Sequence, residues 1–225
     1  MTRVNLTPEQ LDRAQGVIIG MACGDALGAG YEFGEPFDGP VEMKGGGPFD
    51  WAPGEWTDDT SMAIIIAQAL AAGSLDLDRI SCGWIDWART APDVGAQSRA
   101  ILGSGATDAT TLRQASRDFH ARTGRSAGNG SLMRTAPLAL AYLGDEHGLI
   151  AAARTVSELT HFETSAGDAC VLWCLAIRHA VLTGELDFTV GLVHVDSTWA
   201  GLIETARASR PRDFVNNGWV VEALQ

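Results

Sequence analysis

Apolar residues return at three- and four-residue intervals in segment after segment of this chain, and nowhere do they alternate with polar ones for long. That is the period of helix faces, not of strands. The pattern therefore predicts an all-α fold. In "LTPEQLDRAQGVIIGMACGDALG", Thr7 is placed to cap a helix, Pro8 to occupy its first position, and Gln10 to complete a capping box. "TDDTSMAIIIAQALAAG" reads as a helix closed by Gly73, and "DLDRISCGWIDWART" as one with Ile80, Trp84 and Trp87 on one face. "TDATTLRQASRDFHART" reads as a more polar helix. The segments "GNGSLMRTAPLALAYLG", "HGLIAAARTVSELTH" and "TSAGDACVLWCLAIRHAVLTG" continue the series. The one strand-like fragment, Val190 to Val195, lies in "FTVGLVHVDSTWAGLIETAR", where helix is again the preferred reading. No internal repeat divides the chain, so residues 1–225 are expected to form a single domain.

Two local features break the regularity. Gly16, Gly20, Gly24 and Gly28 fall on one stripe of the first helix, although each interior glycine costs about 1 kcal/mol against alanine. The stripe implies close approach of another helix, or of a ligand near Gly28. Residues 34–56 are rich in Gly and Pro and form a long loop, a type that is usually functional or mobile. At the other end, "NNGWVVEALQ" starts a helix with Trp219, Val220, Ala223 and Leu224 on one stripe. It stops without a glycine cap, a basic last turn or a proline, and so reads as C-terminally incomplete in preference to a frayed last helix.

Composition limits the partners. A hydrophobic content of 46% in 225 residues supports one good core. The formal net charge of −12 argues against binding the nucleic-acid backbone. An anionic ligand would have to be held by helix N-termini, backbone amides or a bound cation. Cys170 and Cys174 are spaced as buried helical thiols rather than as zinc ligands. The first residues lack the apolar core of a signal peptide, and the apolar stretches read as too short to span a bilayer. A soluble cytoplasmic protein, without a membrane partner, is the expectation.

Four short stretches could carry chemistry. Thr57-Asp58-Asp59-Thr60 opens a helix, and capping would explain one acidic residue. A hard divalent cation would account for the second carboxylate and the flanking hydroxyl, although from these residues alone the helix cap stays the preferred reading. Gly128-Asn129-Gly130-Ser131 reads either as a plain loop with Ser131 capping the next helix or as a backbone cradle for phosphate. It is not a P-loop, because the Lys-Ser/Thr end is absent. His161 at a helix boundary reads as structural or as a ligand contact, and Glu32 as an exposed loop charge or a site carboxylate.

The order of these stretches resembles the ADP-ribosylglycohydrolase family: "GDALGAGYEF", "WTDDTSMA", "GNGSLMRTAPLAL", then "SELTHFETSAGDACVLWCLAI". The resemblance runs from about Gln15 to the end. It implies an orthogonal helical bundle around a two-metal centre of Mg2+ or Mn2+. It also implies metal-dependent hydrolysis of the glycosidic bond between ADP-ribose and a protein side chain or related acceptor. By the match, Thr57, Asp58 and Asp59 would be metal ligands, and Glu32, Asp58 and Asp59 the catalytic carboxylates. Gly128, Asn129, Gly130 and Ser131, with Met133 and Arg134 completing the motif and His161 beside it, would bind ADP-ribose. Gly95 matches a ligand-contacting glycine more loosely. One departure stands out. The family's late Asp-x-Asp-Thr motif is absent, since Asp187, Asp196 and Asp213 lie in other contexts. The resemblance thus implies a metal centre incomplete in this chain and a complementing C-terminal segment. The alternative is a non-catalytic ADP-ribose-binding module that has lost half of its metal centre. The blandest reading is a helical partner-binding protein that inherited the fold.

Overall fold

The computed structural model describes residues 4–34, 39–210, 214 and 218–224. Asp213, Asn216 and Asn217 lie outside them. The fold is all-α, as expected. Ten α-helices follow one another among the described residues: α1 Pro8–Gly28, α2 Asp58–Ala71, α3 Leu77–Ala88, α4 Ala96–Leu102, α5 Ala109–Thr123, α6 Ala136–Ala141, α7 Glu146–Glu158, α8 Thr164–Thr183, α9 Thr198–Ala208 and α10 Val220–Leu224. Two 3-10 helices, Asn129–Ser131 and Phe188–His194, complete the set. The latter settles the strand-like fragment in favour of helix. Gly191 lets this 3-10 helix press on α8, because a Cβ there would stand 2.9 Å from Leu172 Cδ2.

α8 is the central helix. Ala169, Cys170, Val171, Leu172 and Cys174 are fully buried, and α1, α6, α7, α10 and the second 3-10 helix pack on it. Its burial explains why it is apolar nearly all round. At 20 residues and mean hydropathy 1.3 it is long and apolar enough to cross a bilayer, so the expectation from length was wrong. Two-thirds of that window (67%) is instead buried inside the protein. Asp168 within it pairs with Arg154 of α7.

α1 begins as its sequence dictates, with the Thr7 and Gln10 capping box and Pro8 in the first turn. Its glycine stripe does not receive another helix. A Cβ at Gly16, Gly20, Gly24 or Gly28 would meet nothing within 4 Å, and Ile19 on the same side is 62% exposed. Close approach occurs just past the stripe. A Cβ on Gly30 would stand 2.1 Å from the Gly45 carbonyl, which pins the long loop against the end of α1.

α6 starts later than expected. Pro137 has no amide to bond back along the chain, so the helix cannot extend through it to Ser131. Ser131 is therefore not its cap.

Candidate active site

The first turn of α2 is capped from outside. Thr57 stands at the N-cap position but makes no side-chain capping bond there. Asp25 of α1 does that work. Its carboxylate accepts from the amides of Thr57 at 3.0 Å and Thr60 at 3.0 Å, and from Thr57 Oγ1 at 2.7 Å. The capping explanation of the acidic pair is thus used up by a residue 32 positions earlier. Asp58 and Asp59 are left over, with Thr57 Oγ1 about equally placed at 3.5 Å from Asp58 Oδ1 and 3.5 Å from Asp59 Oδ2.

These carboxylates crowd one another. Burial, then Asp59, Asp93, Glu32 and Asp25, push Asp58 up to about 8. Burial, then Asp25 and Glu32, push Asp59 up to about 7. The two titrate as a pair. Glu32 stands in the turn after α1 with much of its surface open. Its carboxyl is nevertheless raised, by desolvation first and then by Asp93 and Asp25. Asp93, just before α4, is raised by burial, while the nearby amide of Asp58 and the guanidinium of Arg99 pull it back. All these donors are oxygens, the kind that a hard divalent cation takes. They suit such an ion in type. In number they fall short, because no three acidic or imidazole side chains among the described residues are gathered tightly enough to hold one.

The glycine turn lies beyond Arg134. Arg134 is fully buried, stacks on Trp84 at 3.7 Å from the ring centroid, and acts electrostatically on both Asp58 and His161. Its Nη2 donates to Thr160 Oγ1 at 2.6 Å, and that oxygen lies 2.8 Å from His161 Nδ1. A guanidinium cannot accept, so the hydroxyl receives from Arg134 and its own proton is free for Nδ1. The positive charge favours the same arrangement, with the imidazole lone pair facing it. Burial and Arg134 together hold His161 well below its ordinary pKa. His161 is therefore neutral, with its proton on Nε2. That nitrogen lies against the glycine turn, 3.3 Å from where a Cβ on Gly128 would stand and 3.2 Å from one on Gly130. Only glycine leaves this space open.

Other residues of the turn are disposed differently. The Asn129 amide donates to the Gly218 carbonyl at 2.9 Å and so is already used. Ser131 is buried, and its hydroxyl faces Ser157 at 3.0 Å and Cys170 at 3.5 Å in the core. Met133 packs half-buried on the hydrophobic core. Gly95 caps α4 with open space where a side chain would be. Gln97 of α4 holds the turn in place through the carbonyls of Ser126 and Thr160, at 3.0 and 2.8 Å.

Sequence reasoning missed Asp25, Asp93 and Thr160. Asp25 carried a signal, as a charge inside an otherwise small and apolar helical stretch. Asp93 and Thr160 carried none.

The chain is similar in sequence to curated proteins and in fold to a solved structure. The ADP-ribosylarginine hydrolase Tri1 of Pseudomonas putida (strain GB-1) is 33% identical over 94% of this chain and 55% of its own length. The ADP-ribosyl-[dinitrogen reductase] glycohydrolase of Rhodospirillum rubrum is 33% identical over 77% of this chain and 60% of its own. The chain thus spans little more than half the length of these curated relatives. A solved structure, "ADP-ribosylglycohydrolase-related protein complex", superposes with TM-score 0.74 at 29% identity, covering 97% of this chain and 74% of that one. The family description "ADP-ribosylglycohydrolase" matches residues 6–225, and the chain belongs to that family.

Proposed function

We propose that this site hydrolyses the glycosidic bond joining ADP-ribose to a protein side chain, with arginine the favoured acceptor. The observation that carries the reading is the cap supplied by Asp25, which frees Asp58 and Asp59 for chemistry and leaves the Thr57 hydroxyl only its lone pairs to offer. The names of the two relatives, one an ADP-ribosylarginine hydrolase, support the substrate. Cleavage at the anomeric carbon develops positive charge on the ribose ring. Asp58, Asp59 and Glu32 would face that charge. Without a bound cation, burial and crowding hold a proton on Asp58 and Asp59 more readily than on ordinary carboxylates. With a cation bound, both would be ionised, so proton exchange with water or the leaving nitrogen would fall to Glu32, whose carboxyl is also raised. His161 Nε2–H, beside the Gly128–Gly130 turn, would donate to a diphosphate oxygen. Thr57, Asp58 and Asp59 would contribute oxygen ligands to Mg2+ or Mn2+, too few to complete its site by themselves; when bound, such an ion supplies Lewis acidity and orients the ribose hydroxyls. Four unpaired cysteines, two of them exposed, support a reducing, cytoplasmic setting.

The test is release of ADP-ribose from an ADP-ribosylarginine peptide in the presence of Mg2+. Asp58→Asn/Asp59→Asn should lower the rate by about a hundredfold or more. Full activity in that double variant would show the assignment to be wrong. ADP-ribose binding without turnover, unaffected by chelator, would point instead to a binding module.

A further inference from the structure

Beside the carboxylates lies an open cleft of about 490 Å³ that shares Thr57 and Asp93 with them. Its walls include the indoles of Trp51, Trp56 and Trp87, its acidic groups are Glu55 and Asp93, and no lysine or arginine lines it among the described residues. Three elements build it. Trp87 comes from the last turn of α3, Trp51, Glu55 and Trp56 from the long loop, and Asp93 from the connection between α3 and α4.

The lining is chemically selective. Trp56 is 47% exposed, a large aromatic surface left in water at the mouth of the site. Aromatic faces attract cations, tryptophan most strongly. Among biological cations the guanidinium suits such a wall best, because it is planar and more weakly hydrated than an ammonium. Arg99 offsets part of the charge on Asp93, and Glu55 adds a second carboxylate. A neutral or anionic group would gain little here.

We propose that this cleft is the acceptor subsite, which receives the guanidinium of a modified arginine against Trp56 and Trp87 with Glu55 and Asp93 supplying the counter-charge. The assignment rests on the glycohydrolase reading above and adds the location and chemistry of acceptor selection. Position supports it. Thr57 and Asp93 line the cleft and also belong to the acidic cluster, so the cleft meets the carboxylates at these two residues.

The test uses tryptophan fluorescence of the full chain, titrated with Nα-acetyl-arginine methylamide, its lysine counterpart and its neutral citrulline counterpart. ADP-ribose is titrated in parallel by calorimetry. The arginine compound should bind saturably in the millimolar range, at least about tenfold more tightly than citrulline, and more tightly than lysine. Trp56→Ala should weaken arginine binding at least about fivefold, and Trp56→Phe should restore most of it, since phenylalanine keeps a π face. Neither change should alter the affinity for ADP-ribose. Equal binding of arginine and citrulline, undetectable arginine binding, or an unchanged arginine affinity in Trp56→Ala each overturns the cleft assignment. Failure of the unaltered chain to bind ADP-ribose would instead overturn the glycohydrolase reading.

Discussion

At the scale of single residues, Asp25 decides what the acidic pair is for. One carboxylate serves two α2 amides and a hydroxyl at once, across 32 positions of sequence. Asp25→Ala should therefore cost about 1–2 kcal/mol, the range of a lost N-cap, read from urea unfolding. Asp25→Asn keeps an acceptor and removes a like charge from the cluster, so it should cost less. An equal loss for asparagine and alanine would show that the charge, and not the acceptor, is what matters. Arg134, Thr160 and His161 work by the same economy, because each polar group in the buried chain fixes the proton of the next.

At the scale of elements, the helices were legible because each must bury one apolar stripe, and the stripe has a fixed period. α3 shows this well. Ile80 and Trp84 are fully buried as their spacing predicts, while Trp87 on the same face is only half-buried and lines the cleft. Element boundaries set by local chemistry were legible too, as at Thr7 and Pro8, or at Gly73, whose φ of 93° closes α2. Features created by distant pairing were not. Ser131 faces Ser157 and Cys170, and the Asn129 amide reaches Gly218. No window of sequence contains both partners of such a contact. For this reason the positions of the glycine turn could be read, but not which of its groups remain open to a ligand.

At the scale of the whole molecule, the carboxylate cluster gives the fold a pH dependence opposite to that of most acidic surfaces. The raised groups, Asp58, Asp59, Glu32 and Asp93, favour the protonated form in the folded state. Their contribution is complete below the ordinary carboxylate range and is lost as pH rises through about 7 and about 8, the values for Asp59 and Asp58. The exposed groups Glu9, Asp108, Asp187 and Asp196 are lowered, so theirs is already complete above about pH 5 and does not change in this window. Without divalent metal, Tm should therefore fall between about pH 5 and about pH 9. Mg2+ should raise Tm at the alkaline end more than at the acid end, because it binds the ionised form. A Tm that rises across this window in chelator would contradict the electrostatics described here.

The open glycine stripe of α1 bears on all of this. The helix that delivers Asp25 to the cluster is also one whose outer face carries no side chains at four positions. Glycine there gives the unfolded chain extra freedom and the helix none of the shielding that a methyl group provides. Order at the carboxylates is thus tied to how firmly α1 itself stays wound. Gly16→Ala and Gly20→Ala meet no obstacle and should each add about 0.5–1 kcal/mol of stability. They should also slow amide exchange at Thr57 and Thr60, far along the chain from either substitution. A gain in stability with no change at those two amides would mean that α1 can fray while its far end keeps hold of α2. Slower exchange would make the plainest stretch of the first helix a control on how sharply the site is drawn.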